Sequence, residues 1–240
     1  MKELLNLMKE ERIDISFNGK TGKEHGVVLY DFPVISSSNE SYTSTSVAGK
    51  KGSSLSKNGA VDNIIITCTF SIVNKCFMPN VRALKKWLTG SGQLVISETS
   101  DCYYDVFMVE RKEFERELIS YGRFTVDFIC FPYEFDFSGQ QAVKIEDRKL
   151  VNPFDESMPV YKIKGQGTCI LAVNGKVMIA NIDQSITIDT RRMIAYKEDV
   201  HMNTSLTGNY TDLYLKSGEN QVSITSGFEL EVIPCWGWNT

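Results

Sequence analysis

Residues 79–90, PNVRALKKWLTG, form the one amphipathic helical stretch of the sequence. They stand between two runs of alternating β-type residues, and that placement points to a single helix laid against a sheet sandwich. Phe77, Val81, Leu84 and Leu88 recur at helical spacing on one face. Pro79 suits a first turn, Gly90 suits a stop, and Lys85 and Lys86 sit where the helix dipole is negative. Trp87 belongs either to the core or to an interface.

Upstream of the helix, Ile64, Ile66, Cys68, Phe70 and Ile72 alternate with Thr67, Thr69 and Ser71, the pattern of a half-buried antiparallel strand. Further upstream, a strand around Ile13–Phe17 runs into an Asn18-Gly19 turn. The stretch 36–63 is rich in Ser, Thr, Gly and Asn and poor in large apolar residues. It has no core of its own, so it is either disordered or an arm that orders on a neighbour. Downstream, Leu94–Ile96, Tyr103–Val109 and Phe124–Phe131 repeat the period of two. Glu110–Ser120 has helical propensity, but a charged strand pair leading into Tyr121-Gly122 suits the sheet order better.

Tyr133–Pro159 loses the alternation, and a domain boundary is expected there, giving a first domain at 1–137 with its arm at 36–63, and a second sandwich at 138–240. The second half reads as β throughout: 159–164, 168–173, 177–180, 185–189, 222–225 and 228–234. Asn174-Gly175 is its strongest hairpin signal, because both residues tolerate the positive φ of a type I′ turn. Gly165 and Gly167 read as a tight turn. The expected class is mainly β: an N-terminal β-sandwich with one flanking helix and an extended arm, then a C-terminal jelly-roll or galectin-like sandwich.

Bulk composition narrows the function. The 240 residues are 42% hydrophobic and 23% charged, with a formal charge of -4, which gives no basic face for gripping nucleic acid. Six cysteines, at 68, 76, 102, 130, 169 and 235, contain no C-x-x-C pair, and are expected as buried thiols of a chain made in a reducing cytoplasm. The opening MKELLNLMKEER is too charged for a signal peptide or membrane span, and Leu4, Leu5 and Met8 make it a short helix candidate. His25 and His201, the only histidines, are far apart and belong to no nucleophile or metal motif. Gly19-Lys20-Thr21 imitates the end of a phosphate loop, yet Asp14 stands where that loop needs glycine. No catalytic, cofactor-binding or metal residue is therefore assigned. Trp236, Trp238 and Tyr214 are candidate sugar or partner contacts, with Tyr210 beside them, since flat aromatic faces stack on pyranose rings; sandwich closure explains them as well.

The order of features is itself informative: Val47-Ala48-Gly49-Lys50-Lys51-Gly52-Ser53, the Ile64–Ile72 strand, Lys85-Lys86-Trp87-Leu88, Leu94, Tyr103-Tyr104 and Gly122–Pro132. Later come Asn152-Pro153, Pro159, Ile163, Gly165, Gly167, Val173-Asn174-Gly175, Ile186–Asp189, Gly218-Glu219-Asn220 and Ile233–Trp236. This order resembles the distal tail protein family of siphophages over nearly the whole chain. It departs in having about a dozen residues before the usual first strand, and Val47-Ala48-Gly49 where Pro-Gly is common. The resemblance implies a non-enzymatic virion protein of the tail tip, a homohexameric ring joining the tail tube protein to the tip or fibre protein and to receptor-binding baseplate proteins. DNA would pass its centre without specific binding, and no membrane insertion is implied. Val47, Gly49, Gly52, Leu55 and Trp87 are the expected subunit contacts. A carbohydrate-binding module is the competing class, and a tail-associated hydrolase a weaker one.

Overall fold

The computed structural model describes residues 13–46, 48–49, 51–73, 77–118, 121–145 and 148–240. The candidate helix at Leu4, Leu5 and Met8, together with Val47, Lys50 and Cys76, lies outside them. The chain divides into two compact units, Met1–Glu134 (with Thr240) and Phe135–Asn239, each built on its own apolar core. The fold is mainly β, of sandwich type with curled sheets.

The first unit contains β1 (Ile15–Phe17), β2 (Lys20–Thr21), β3 (Val27–Leu29), β4 (Val34–Ile35), β5 (Glu40–Ser46), β6 (Ser53–Val61), β7 (Ile64–Val73), α1 (Phe77–Trp87), β8 (Gly92–Ile96), β9 (Cys102–Leu118) and β10 (Tyr121–Asp136). Its main sheet runs β2-β1-β8-β9-β10-β7-β3, with β4 also pairing β7. The alternation of β7 is realised without a slip: Ile64, Ile66, Cys68, Phe70 and Ile72 are fully buried. Phe70 stacks on Phe124 of β10 at 5.0 Å, and Phe17 meets Phe128 at 5.5 Å. Full burial of such side chains contributes about 1.5–3 kcal/mol each. Helix α1 covers this core through Val81, Leu84 and Trp87, with Leu88 just past its end. Arg111 of β9 donates to the Lys85 carbonyl at 2.6 Å, satisfying one of the acceptors a helix end leaves open.

Residues 110–118 are strand, as expected over helix, but they are continuous with the strand before them rather than a separate short one. Tyr103–Val109 and most of Glu110–Ser120 belong to one strand, β9, paired with a β10 only one residue shorter.

The arm is also more ordered than its composition implies. Within 36–63, β5 and β6 form a separate two-stranded sheet. It prolongs the β4–β7 pairing outward: Val34 faces Thr67 and Ile35 faces Ile66, and Glu40 then faces Val61. The register shifts between Glu40 and Tyr42. Serines and threonines cannot build a core, but they tolerate a ladder in which each strand satisfies the other's backbone.

The second unit contains β11 (Val143–Lys144), β12 (Lys149–Asn152), β13 (Val160–Val173), β14 (Lys176–Asp189), β15 (Ile194–Lys197), β16 (Val200–His201), β17 (Leu206–Thr207), β18 (Gly218–Ile224), β19 (Glu229–Ile233) and β20 (Gly237–Asn239). Its spine is the β13–β14 hairpin, paired from Val160↔Asp189 to Val173↔Lys176. The Asn174-Gly175 turn has φ of 50° and 80°, as a type I′ turn requires. Gly165 and Gly167 are not a turn. They lie within β13, opposite Gln184 and Ile182, with φ of 151° and 108°. A Cβ on Gly165 would stand 2.3 Å from the Phe228 ring, so glycine here admits an aromatic cover rather than a reversal.

Candidate interaction surfaces

The arm places Gly49 and Gly52 at its tip, with φ of 82° and 83° and open space around both. Leu55 is 67% exposed, and Tyr42 is exposed as well. Leu55 faces Ser44 and Tyr42 faces Lys57 across the ladder, so alternation sets Tyr42 and Leu55 on the same side of the hairpin. The opposite side carries Thr43, Thr45, Ser54 and Ser56. An isolated two-stranded hairpin is marginally stable in water, and this one has a single narrow apolar side.

Trp87 belongs to the core of its unit, at 8% exposure. Its indole Nε1 donates to the Phe17 carbonyl at 3.1 Å, its face stacks on His25 at 4.5 Å, and Phe70 meets it edge-on at 6.4 Å. His25 is consequently more than a surface loop residue. Burial, helped by nearby Lys20 and opposed by Glu24, lowers its imidazole pKa from 6.5. His201 is exposed on β16.

The outer side of the first sheet joins two zones. One is a shallow depression of about 680 Å³ lined by Tyr30, Asp31, Thr69, Lys112, Arg123 and Thr125. There the Arg123 guanidinium lies 3.8 Å over the Tyr30 ring, and Lys112 pairs with Asp127 at 2.7 Å. Asp127 also accepts from Thr67 Oγ1 at 2.7 Å. The second zone is apolar, with Val34, Ile65 and Phe107 exposed and Phe107 set edge-to-face on Phe131 at 6.1 Å.

In the second unit, Asn152 organises the loop that follows it. Its buried amide donates to the Asp155 carbonyl at 2.7 Å, and its oxygen accepts from Phe154 N–H at 3.0 Å. Phe154 thereby meets both tryptophans: Trp238 edge-on at 4.7 Å and Trp236 at 6.0 Å. Trp236 is anchored by its indole N–H on Ser138 Oγ at 3.0 Å, while Trp238 remains 38% exposed. Tyr214 keeps different company. Burial raises its phenol pKa, and the Glu156 carboxylate adds to the effect. Phe154 carried no sequence signal beyond its place after Asn152-Pro153. The Phe32-Pro33-Val34-Ile35 run before the polar arm was the available sign of the apolar edge.

Cys68, Cys102, Cys130, Cys169 and Cys235 form no disulfide. Burial pushes the Cys68 and Cys130 thiols up to about 12, so both stay protonated and unreactive at neutral pH. Among the described residues, no helix is long and apolar enough to cross a membrane.

Taken by fold, the chain is a two-unit, mainly β protein with a hairpin arm on its first unit. No protein-family model and no curated protein sequence matches it. Among solved structures, it is similar to the SPP1 Dit (gp 19.1) protein, described as a paradigm of the hub adsorption apparatus in phages infecting Gram-positive bacteria. The likeness has a TM-score of 0.55 at 10% identity and covers 92% of this chain and 97% of that one. At that identity, what is shared is the fold.

Proposed function

We propose that this protein is a structural hub of a phage tail tip, a homohexameric ring that joins the tail tube protein to the tip or fibre protein and to receptor-binding baseplate proteins. The observation that carries the reading is the β5–β6 arm: an ordered hairpin, paired as its own two-stranded sheet, on which Leu55 is 67% exposed. Likeness to a hub protein over both units supports it. A head-to-tail interface repeated until rotation closes makes a ring without further design, and a projecting arm suits such an interface because donor and acceptor surfaces differ. Val47, Gly49, Gly52 and Leu55 are assigned to that contact. Trp87 supports it only from within the core.

DNA crosses the centre of such a ring, and an inner wall without excess cations would let it slide. The net charge of -4 fits that requirement. Light scattering coupled to size exclusion tests the reading: a mass six times that of the 27.1 kDa chain is expected, alone or with the tube protein. A persistent monomer beside its partners contradicts it.

A second reading rests on Trp238, presented next to Phe154 at the surface of the second unit, as a saccharide platform for adhesion to the host surface. A glycan array that is positive for the protein and loses its signal on Trp238→Ala supports it, and a blank array rejects it.

A further inference from the structure

Two of the three Asn-Gly pairs in the sequence, Asn18-Gly19 and Asn174-Gly175, are the two-residue turns of the β1–β2 and β13–β14 hairpins, set between Phe17↔Lys20 and Val173↔Lys176. Asn-Gly is also the pair most prone to deamidation, because glycine, lacking a side chain, leaves its backbone nitrogen open to approach. That nitrogen gives up its proton to water and bonds to the asparagine Cγ. The Cγ–Nδ2 bond breaks, ammonia leaves, and water opens the resulting succinimide to aspartate or isoaspartate. The sequence of steps consumes only water, but the asparagine Cγ must first swing onto the nitrogen of the glycine that follows it.

In both turns the side-chain amide is held away from that position, at both of its polar atoms, by groups outside the hairpin. Asn18 Oδ1 accepts from Gln93 N–H at 3.0 Å, and its Nδ2 donates to the Ser91 carbonyl at 3.2 Å. Gly92, between those two residues, makes room for it: a Cβ there would stand 1.8 Å from Asn18 Oδ1 and 2.5 Å from its Cγ. Asn174 Oδ1 accepts from Gln221 N–H at 2.9 Å, and its Nδ2 donates to Asn220 Oδ1 at 2.7 Å. Asn220 is fully buried and fixed in turn, accepting from Lys216 N–H and donating to the Lys216 and Gly218 carbonyls.

We propose that Asn18 and Asn174 are latent sites of spontaneous deamidation, each kept silent by the seat of its side chain on the neighbouring strand and released only when that seat is lost. Release is a one-way step. At 174 a carboxylate oxygen in place of Nδ2 would face Asn220 Oδ1, acceptor against acceptor. Isoaspartate would also lengthen the main chain by one carbon at a turn whose strands pair residue for residue. A turn that opens for long enough is therefore marked permanently, whatever the chain assembles with.

The test incubates the full chain in mildly alkaline buffer, native and in urea, and follows both turn peptides by mass spectrometry, with isoaspartate methyltransferase labelling as a second readout. Both peptides are expected to convert slower by about tenfold or more in the native chain than in the unfolded one, since two hydrogen bonds hold each amide closed. Gly92→Ala, incubated below its own melting temperature, should speed conversion at Asn18 alone, and Asn220→Ala at Asn174 alone. Native peptides that convert as fast as unfolded ones, a variant that leaves its own turn silent, or one that releases both turns alike would overturn the proposal.

Discussion

Asn174 and Gln221 hold each other by two hydrogen bonds: Asn174 N–H donates to the Gln221 carbonyl at 2.8 Å, and Gln221 N–H donates to Asn174 Oδ1 at 2.9 Å. Asn18 and Gln93 repeat the arrangement in the other unit, at 2.9 and 3.0 Å. In each case the first residue of an Asn-Gly turn, at φ of 50° or 51°, uses its side chain to imitate one more ladder position for a strand outside the hairpin. An Asn-Gly pair therefore sets both the reversal and the strand that lies beside it.

The clamp in the second unit extends inward. Asn174 Nδ2 donates to Asn220 Oδ1 at 2.7 Å, and the fully buried Asn220 amide donates to the Lys216 and Gly218 carbonyls. Asn174→Ala is expected to cost about 1–3 kcal/mol, since it strands buried polar groups and puts alanine at positive φ. Asn174→Gly should cost less, because it relieves the strain but not the lost bonds. Urea unfolding of the three proteins checks the order, and equal midpoints would refute the clamp.

Gly165 and Gly167 should respond differently to alanine. Both have positive φ, a strain of about 1–3 kcal/mol for a side chain, but only Gly165 faces a ring at 2.3 Å. Gly165→Ala is predicted to be the more destabilising, and Phe228→Ala to remove the difference between the two sites. Denaturation of the single and double variants measures this directly.

The His25–Trp87 stack makes stability depend on pH. The folded-state pKa of His25 is depressed below 6.5, mainly by burial, so between the two values the unfolded chain binds a proton that the folded chain does not. Its contribution is complete above 6.5 and declines as the pH falls from there through the folded-state pKa. His25→Gln should flatten that part of the Tm profile between about pH 7 and about pH 5. An unchanged slope would place the acid sensitivity elsewhere.

Trp87→Phe and Leu55→Ser should separate stability from assembly. The first leaves the Phe17 carbonyl without its indole donor and shrinks the core, at a cost of about 1–3 kcal/mol. The second alters a side chain already in water and should leave Tm unchanged while weakening self-association. Paired thermal melts and light scattering distinguish them, and a Tm loss on Leu55→Ser would show the arm to be packed within its own chain.

Thiol labelling of the native protein should spare Cys68 and Cys130, whose buried thiols are raised to about 12, until unfolding agent is added. Rapid modification of either under native conditions would mean that the β7–β10 core opens.

What could be read from sequence followed the local character of each signal. Ile64–Val73 alternates without interruption, and α1 concentrates its apolar residues on one face, so periodicity alone located both. The Asn-Gly turns carry their geometry in two residues. Gly165 reads as a turn in sequence because its meaning lies in Phe228, more than sixty positions away. Likewise nothing near Trp87 announces its stack on His25, and nothing near Asn152 announces that its loop delivers Phe154 to Trp238. The arm was visible as a stretch without a core, but its strand pairing was not, because a ladder of serines and threonines leaves no hydrophobic pattern. The apolar zone was equally hidden: Val34, Ile65 and Phe107 sit on three strands that only the topology makes neighbours.

Electron microscopy of the purified chain with its tail tube partner tests the central claim most directly. Rings of six subunits, with the arm of each copy reaching toward the next, are the predicted result. Particles that stay single-copy, or virions whose tail ends lack this polypeptide, would contradict it.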